Sequence, residues 1–283
     1  MADRPANLPE YDDPPVVEVV LSVQFSELQN FRTVHAGLLW DRKFRRQFRT
    51  VIEKPKIDSK FEAFGPQSAG EPRIQIIPIL GPPLPRLWFA KPNMTELIQI
   101  QDDRFIHNWR KVKIKTVYPR YEKIKRKFFR EVSIFQDFLE DEQIGSIEPN
   151  QCEVTYVNHI ELSGVRNVNT LTEKIFRQWS RARLNSSDLG ARLPELEDVR
   201  FSTRYIIRDN EDNPIGRLMA VVHPIVIDGD RAAVSFELTA RGAPITSDLK
   251  GVSDFFDIGR DVIVRGFTAL TTPRMHEVWK RTR

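Results

Sequence analysis

The chain has 283 residues, of which 40% are hydrophobic and 29% charged, and a formal net charge of +4; these are the proportions of an ordinary soluble globular protein. Its single cysteine, Cys152, excludes an intramolecular disulfide or a thiolate cluster and fits a reducing compartment. No run of about 18 apolar residues occurs, which excludes a membrane-spanning helix, and the first residues lack the apolar core of a signal peptide, so a cytoplasmic protein is expected.

Residues 1–15, with Pro5, Pro9, Pro14 and Pro15, read as an extended arm, because proline lacks an amide donor and keeps its neighbour out of helix. Val17, Val19, Leu21, Val23 and Phe25 then alternate with a more polar face, which predicts a half-buried strand. From Glu27 to Phe48 the pattern is helical, with Phe31, Val34, Leu38 and Leu39 on one stripe and Arg42, Arg45 and Arg46 on a charged flank. A polar loop follows. Strands are expected at Arg73–Ile79, where Pro78 confines the strand to an edge, at Leu87–Phe89, and from Thr95 through Trp109 with a break at Asp102–Asp103. Pro119 fits the first turn of a helix that buries Tyr121, Ile124, Phe128, Val132, Phe135 and Leu139 at steps of three and four.

The order then repeats. Cys152–Leu162 is a strand, and Thr170–Trp179 a helix with Asn169 or Thr170 as its cap and Glu173 placed for a capping box. Strands follow at Arg200–Arg208, Arg217–His223 and Ala232–Ala240. The turn Asp228-Gly229-Asp230 is a hairpin signal. A long helix runs from Asp248 to Leu270, and a last turn from Pro273 docks Trp279. The expected fold is therefore α+β: an arm (1–15) and two similar units (16–146 and 147–283), each strand, helix, three or four strands, helix. Mostly antiparallel sheets would carry helices on one face. Such a unit used twice resembles the topology of the TATA-binding protein fold, a likeness of topology that carries no function.

Charge is concentrated at Arg104–Arg130, where eleven basic residues accompany a single acid, Glu122. Arg120, Lys123, Lys127 and Arg130 form a coherent helical stripe, and a second basic cluster runs from Arg42 to Arg49. Phosphate backbone or an acidic protein surface would suit such clusters. Within the stretch, Asn108-Trp109-Arg110 stands out: Trp109 is either an anchor beneath the following helix or, if exposed, a partner hot spot.

Recognisable catalytic signatures are missing from the sequence: there is no Walker loop, GxGxxG, HExxH, paired CxxC or GxSxG. The crowded Asp209, Glu211 and Asp212 lack the glycine and terminal glutamate of a calcium loop and read as a solvated turn. Glu18 and Glu161 sit in apolar strands, but alternation turns them away from the core. No cofactor or metal site is expected.

The elements Pro14-Pro15-Val16-Val17-Glu18, Phe105-Ile106-His107-Asn108-Trp109-Arg110, Tyr118-Pro119-Arg120-Tyr121-Glu122 and Val157-Asn158-His159-Ile160 resemble a sporadically distributed bacterial family of this length. That family has no established activity. Patchy occurrence of this kind is shared with mobile defence and toxin–antitoxin loci, so the resemblance implies an accessory, antitoxin-like or immunity role.

The leading expectation is thus a non-catalytic cytoplasmic binding protein with a macromolecular partner, protein first and nucleic acid second, engaged through a sheet face and the basic helix. Its binding residues would be Arg42, Arg45, Arg46, Trp109, Arg110, Arg120, Lys123, Lys127 and Arg130. A third reading is an enzyme with an unfamiliar site around Glu18, Asn158 and His159.

Overall fold

Alternating apolar residues build one sheet, and helical stripes cover one of its faces. The computed structural model of the chain describes residues 7–65, 84–113, 115–161, 168–179, 198–229 and 231–283. Nine strands are present among them: β1 (Val16–Phe25), β2 (Thr50–Lys54), β3 (Arg86–Ala90), β4 (Glu96–Gln101), β5 (Arg104–Arg110), β6 (Pro149–Ile160), β7 (Phe201–Arg208), β8 (Pro214–Ile227) and β9 (Arg231–Gly242). They form a single sheet in the order β2-β3-β4-β5-β1-β6-β9-β8-β7, with every neighbouring pair antiparallel. The helices are α1 (Thr33–Leu39), α2 (Tyr121–Asp141), α3 (Val168–Ile175), α4 (Leu249–Leu270) and α5 (Pro273–Val278).

The fold is α+β, with one large antiparallel sheet. From each outer edge inward the topology reads alike: a meander arrives at a last strand, β5 or β9, which pairs with the first strand of its half, β1 or β6. β1 and β6 then pair with each other at the centre, Val19 opposite Tyr156 and Leu21 opposite Val154. One hydrophobic cluster runs through both halves. Its middle is aromatic: Phe105 of β5 stacks on Phe135 of α2 at 5.8 Å, and Phe128 meets Phe256 of α4 edge-on at 5.0 Å. Each such ring contributes roughly 1.5–3 kcal/mol by burial. Gly259 lets α4 lie close on the sheet, because a Cβ there would stand only 3.1 Å from Val154.

Several expected elements differ. The first helix does not start at Glu27, because the Leu28 amide instead donates to Asp102 O at 2.8 Å. It begins at Thr33 and continues as a π-helical turn, Trp40–Phe44. Within α1, Val34 is 64% exposed, and Ala36 and Leu39 face the core instead. Pro119 lies before the first turn of α2 rather than in it, and Arg120 precedes the helix at a φ of 72°. β2 occupies part of the expected loop. Asp228 and Gly229 both take positive φ in the β8–β9 turn. The expected strand at residues 73–79, the cap at Asn169 or Thr170 and Asp230 lie outside the described side chains. Among the described residues no helix is long and apolar enough to cross a membrane.

Candidate functional site

The basic stretch divides into spent and unspent charge. Arg104 is buried and donates to Gln24 Oε1 at 2.5 Å and Asp58 O at 3.2 Å. Arg110 stands 3.7 Å from Glu18, and Lys125 bridges to Asp257 at 2.7 Å. Lys127 reaches Glu96 at 2.5 Å, and Arg130 lies 3.6 Å from Glu131. Arg120 donates to the Tyr11 carbonyl at 2.9 Å. In the second cluster Arg42 pairs with Glu142 and Arg45 with Asp41. Lys111, Lys113, Lys115, Lys123 and Arg126, together with Arg46 and Arg49, are exposed and form no ion pair among the described residues.

Trp109 is only 4% exposed, and its ring packs against Tyr118 at 5.2 Å. Strand alternation sets Phe105, His107 and Trp109 towards the helices, so Trp109 is an anchor for the turn into α2 and offers no surface to a partner. Asn108 points the other way and donates to Glu18 Oε1 at 2.6 Å.

The helix-free face of the sheet is crossed by the chain itself. Residues 56–64, following β2, run from β4 and β5 towards β8. Gln101 exchanges two hydrogen bonds with the backbone of Ile57, at 2.9 and 3.1 Å, and Gln24 accepts from the Lys60 amide at 3.0 Å. Farther along, Glu62 pairs with Arg217 and Arg241, while Arg217 also donates to Ala63 O and lies over the Phe64 ring at 4.7 Å. Arg241 is in turn 2.6 Å from Glu153. A partner approaching the middle of this face meets the strap, not bare strands.

Glu18, Asn158 and His159 do not converge. Asn158 turns to the helix layer, where its Nδ2 donates to Phe236 O at 3.0 Å, and the next residue, His159, must turn to the opposite face. Burial, with the charge of His223 added, holds His159 below the ordinary imidazole range. The sheet thus separates Asn158 from Glu18 and His159, which lie on its other face.

On the helix side a cavity of about 420 Å³ opens between the N-terminal arm, the Tyr118–Glu122 turn, α4 and the centre of the sheet. The arm forms its roof. Tyr11 makes a bridge with Arg281, and its hydroxyl lies 2.9 Å from Thr268 Oγ1. Tyr156 and Asn158 of β6 form the floor, and Arg260, Ile263 and Phe267 of α4 form one wall. Tyr118 and Tyr156 share a hydroxyl contact of 3.2 Å. The Arg260 guanidinium lies over the Tyr121 ring at 5.1 Å and 3.2 Å from Glu122.

No protein-family model matches the chain, and no curated protein matches it. Among solved structures the chain is similar to Methanococcus jannaschii TBP, at 10% identity and a TM-score of 0.25, over 90% of this chain and 98% of that one. No residue role is taken from that likeness.

Two features escape the sequence pattern. The cavity joins Pro14, Tyr118, Arg120, Tyr121, Glu122 and Asn158, which the sequence shows only as separate short motifs. The other is a buried acid–base pair, His107 Nδ1 to Glu131 Oε2 at 2.5 Å, locking α2 on β5. A signal for it exists: Glu131 falls on the apolar stripe of α2, seven residues after Ile124 and four before Phe135.

Proposed function

We propose that the protein is a non-catalytic binding protein whose partner is an acidic protein surface docked on the β5–α2 connection. One observation carries this reading. Within the β5–α2 connection Lys111, Lys113 and Lys115, exposed and without an ion pair among the described residues, stand beside Val112, 46% exposed, and Val117, 81% exposed. Cations interleaved with bare apolar side chains suit a protein interface, where apolar contact at the centre and charge at the rim act together. A phosphate backbone gains nothing from the valines. An accessory or immunity role of the kind the family resemblance implies is one form of this reading.

The nucleic-acid reading is second. It is supported by Lys123 and Arg126, which extend the positive surface onto the first turns of α2, and by Arg46 and Arg49. A photoreactive side chain placed at Val112 or Val117 in the native host separates the two. The protein reading expects a discrete protein adduct that Lys113→Glu with Lys115→Glu abolishes. Nucleic-acid adducts whose yield falls steeply with salt, as counterion release requires, would favour the second reading. Adducts with neither would remove both.

A further inference from the structure

The cavity beneath the arm combines apolar walls with a small set of polar atoms at one end, the usual build of a small-molecule site, and its volume of about 420 Å³ lies in the usual range of such sites, roughly 300–1,000 Å³. Val16, Leu238, Ile263, Val264 and Phe267 supply apolar surface. At the polar end the groups are mainly donors. Tyr118 and Tyr156 meet through their hydroxyls; a mutual bond uses one proton and leaves the other free to donate. Burial pushes the Tyr156 phenol up to about 12 and raises that of Tyr118 as well, so both keep their protons at neutral pH.

Arg260 carries five N–H donors, is only 8% exposed, and among the described residues pairs with one carboxylate, that of Glu122, whose side chain is 53% exposed. A guanidinium so placed has donors to spare for a planar oxyanion, which it grips best in bidentate fashion. Glu122 and Glu10 also border the cavity, and their charge weighs against a dianion such as a phosphate monoester while tolerating a single negative charge.

We infer that the cavity is a binding site for a monocarboxylate with an apolar body, its carboxylate held by Arg260 and the Tyr118–Tyr156 hydroxyl pair and its body lying along α4 under the arm. The site lies on the helix side of the sheet and stands independently of the proposed protein interface.

Calorimetric titration of the full chain with octanoate, decanoate and 4-phenylbutyrate, each beside its methyl ester, tests this. The expected result is saturable binding at one site per chain, with acid preferred over ester by roughly tenfold or more, the worth of a charge-assisted hydrogen bond. Arg260→Lys, which keeps the charge but loses the fork, should weaken binding by a similar factor. Val264→Phe, which fills the cavity from a half-buried position and leaves the polar end intact, should abolish it while the unfolding midpoint is retained. Equal binding of acid and ester, binding unaffected by Val264→Phe, or no saturable binding of any of the three acids would each overturn the assignment.

Discussion

His107 of β5 and Glu131 of α2 face each other across the core, Nδ1 to Oε2 at 2.5 Å, with the His107 side chain fully buried and Glu131 at 2% exposure. The pair joins strand to helix beside the apolar packing of Phe105 on Phe128 and Phe135, with Arg130 3.6 Å from the other Glu131 oxygen. It costs desolvation and gives back register. Breaking such a pair from one side leaves a buried group stranded. Glu131→Leu should therefore lower stability by about 3 kcal/mol, in the range for uncompensated buried partners. The double variant Glu131→Leu with His107→Leu should recover most of that loss, because removing both polar groups is far cheaper than removing one. Urea unfolding of the two single variants and the double variant gives the coupling energy directly. Additive losses would show that the two side chains do not act as a pair.

Glu62 ties the strap to the far half of the sheet through Arg217, 155 residues later in the chain, and Arg241. All three side chains are 16% exposed or less, so the network is screened less than a surface pair. Glu62→Ala should cost roughly 2–3 kcal/mol locally, somewhat under a fully buried pair. More tellingly, it should free the strap. Limited trypsin digestion should then cut after the exposed Lys60 much faster than in the parent, with the long helices still folded by circular dichroism. Unchanged protection at Lys60 would mean that the hydrogen bonds to Gln24 and Gln101 suffice to hold the segment.

Much of this architecture is legible in the sequence because it is written in local periodicity. The alternation from Val19 to Phe25 and the stripe from Tyr121 to Leu139 state both the element and its core-facing side, and both match the structure, whereas a register shift between Val16 and Glu18 buries Val16 in place of Val17. β2 is not legible in the same way. One face of this short strand is half-buried and the other, with Val51 and Glu53, is exposed, so no position is fully buried and selection for burial leaves little trace in Thr50–Lys54. The strap is invisible for another reason: its partners are side chains far along the chain, contacting its backbone as well as Glu62. The basic stretch shows the limit of counting charge. Sequence proximity groups Arg104, Arg110, Arg120, Lys125 and Lys127 with Lys113, but the fold spends the first five on internal partners. The cavity depends on the pairing of β1 with β6 and on the arm docking against the C-terminal tail. Its residues are therefore visible singly, while their meeting is not.

Gly242 and Gly216 sit opposite each other where β9 pairs with β8, and the Phe255 ring of α4 fills the space above them. A Cβ on Gly242 would lie 2.2 Å from the Ile215 carbonyl oxygen and 2.6 Å from Phe255 Cε2. Neither obstacle is a flexible chain end. Gly242→Ala should therefore destabilise by about 3 kcal/mol or more, at the upper end of overpacking costs. Phe255→Leu in the same chain should relieve only the ring clash and restore part of the loss. A thermal unfolding series reads both, and a neutral Gly242→Ala would show that the β8–β9 pairing is looser than described.

Glu96, at the start of β4, is gripped by Lys91 at 2.8 Å and Lys127 at 2.5 Å with its side chain 11% exposed. Burial pushes its carboxyl up, but the hydrogen bonds and charge of the two lysines outweigh burial and leave it below the ordinary carboxylate range. The sign of the pH dependence follows. A carboxyl depressed in the folded state binds protons less readily there than in the unfolded chain, so its contribution is complete above the unfolded value, about 4.3, and disappears as pH falls through the folded value. Glu96→Gln keeps the shape and removes the charge. It should cost on the order of 1 kcal/mol at neutral pH, and the gap between parent and variant should close as pH falls below about 4. Urea unfolding of both proteins at a series of pH values between neutrality and acid measures the gap. A difference that stays constant across that series would show that the lysines hold Glu96 by geometry alone, and a gap that widens in acid would reverse the sign of the linkage.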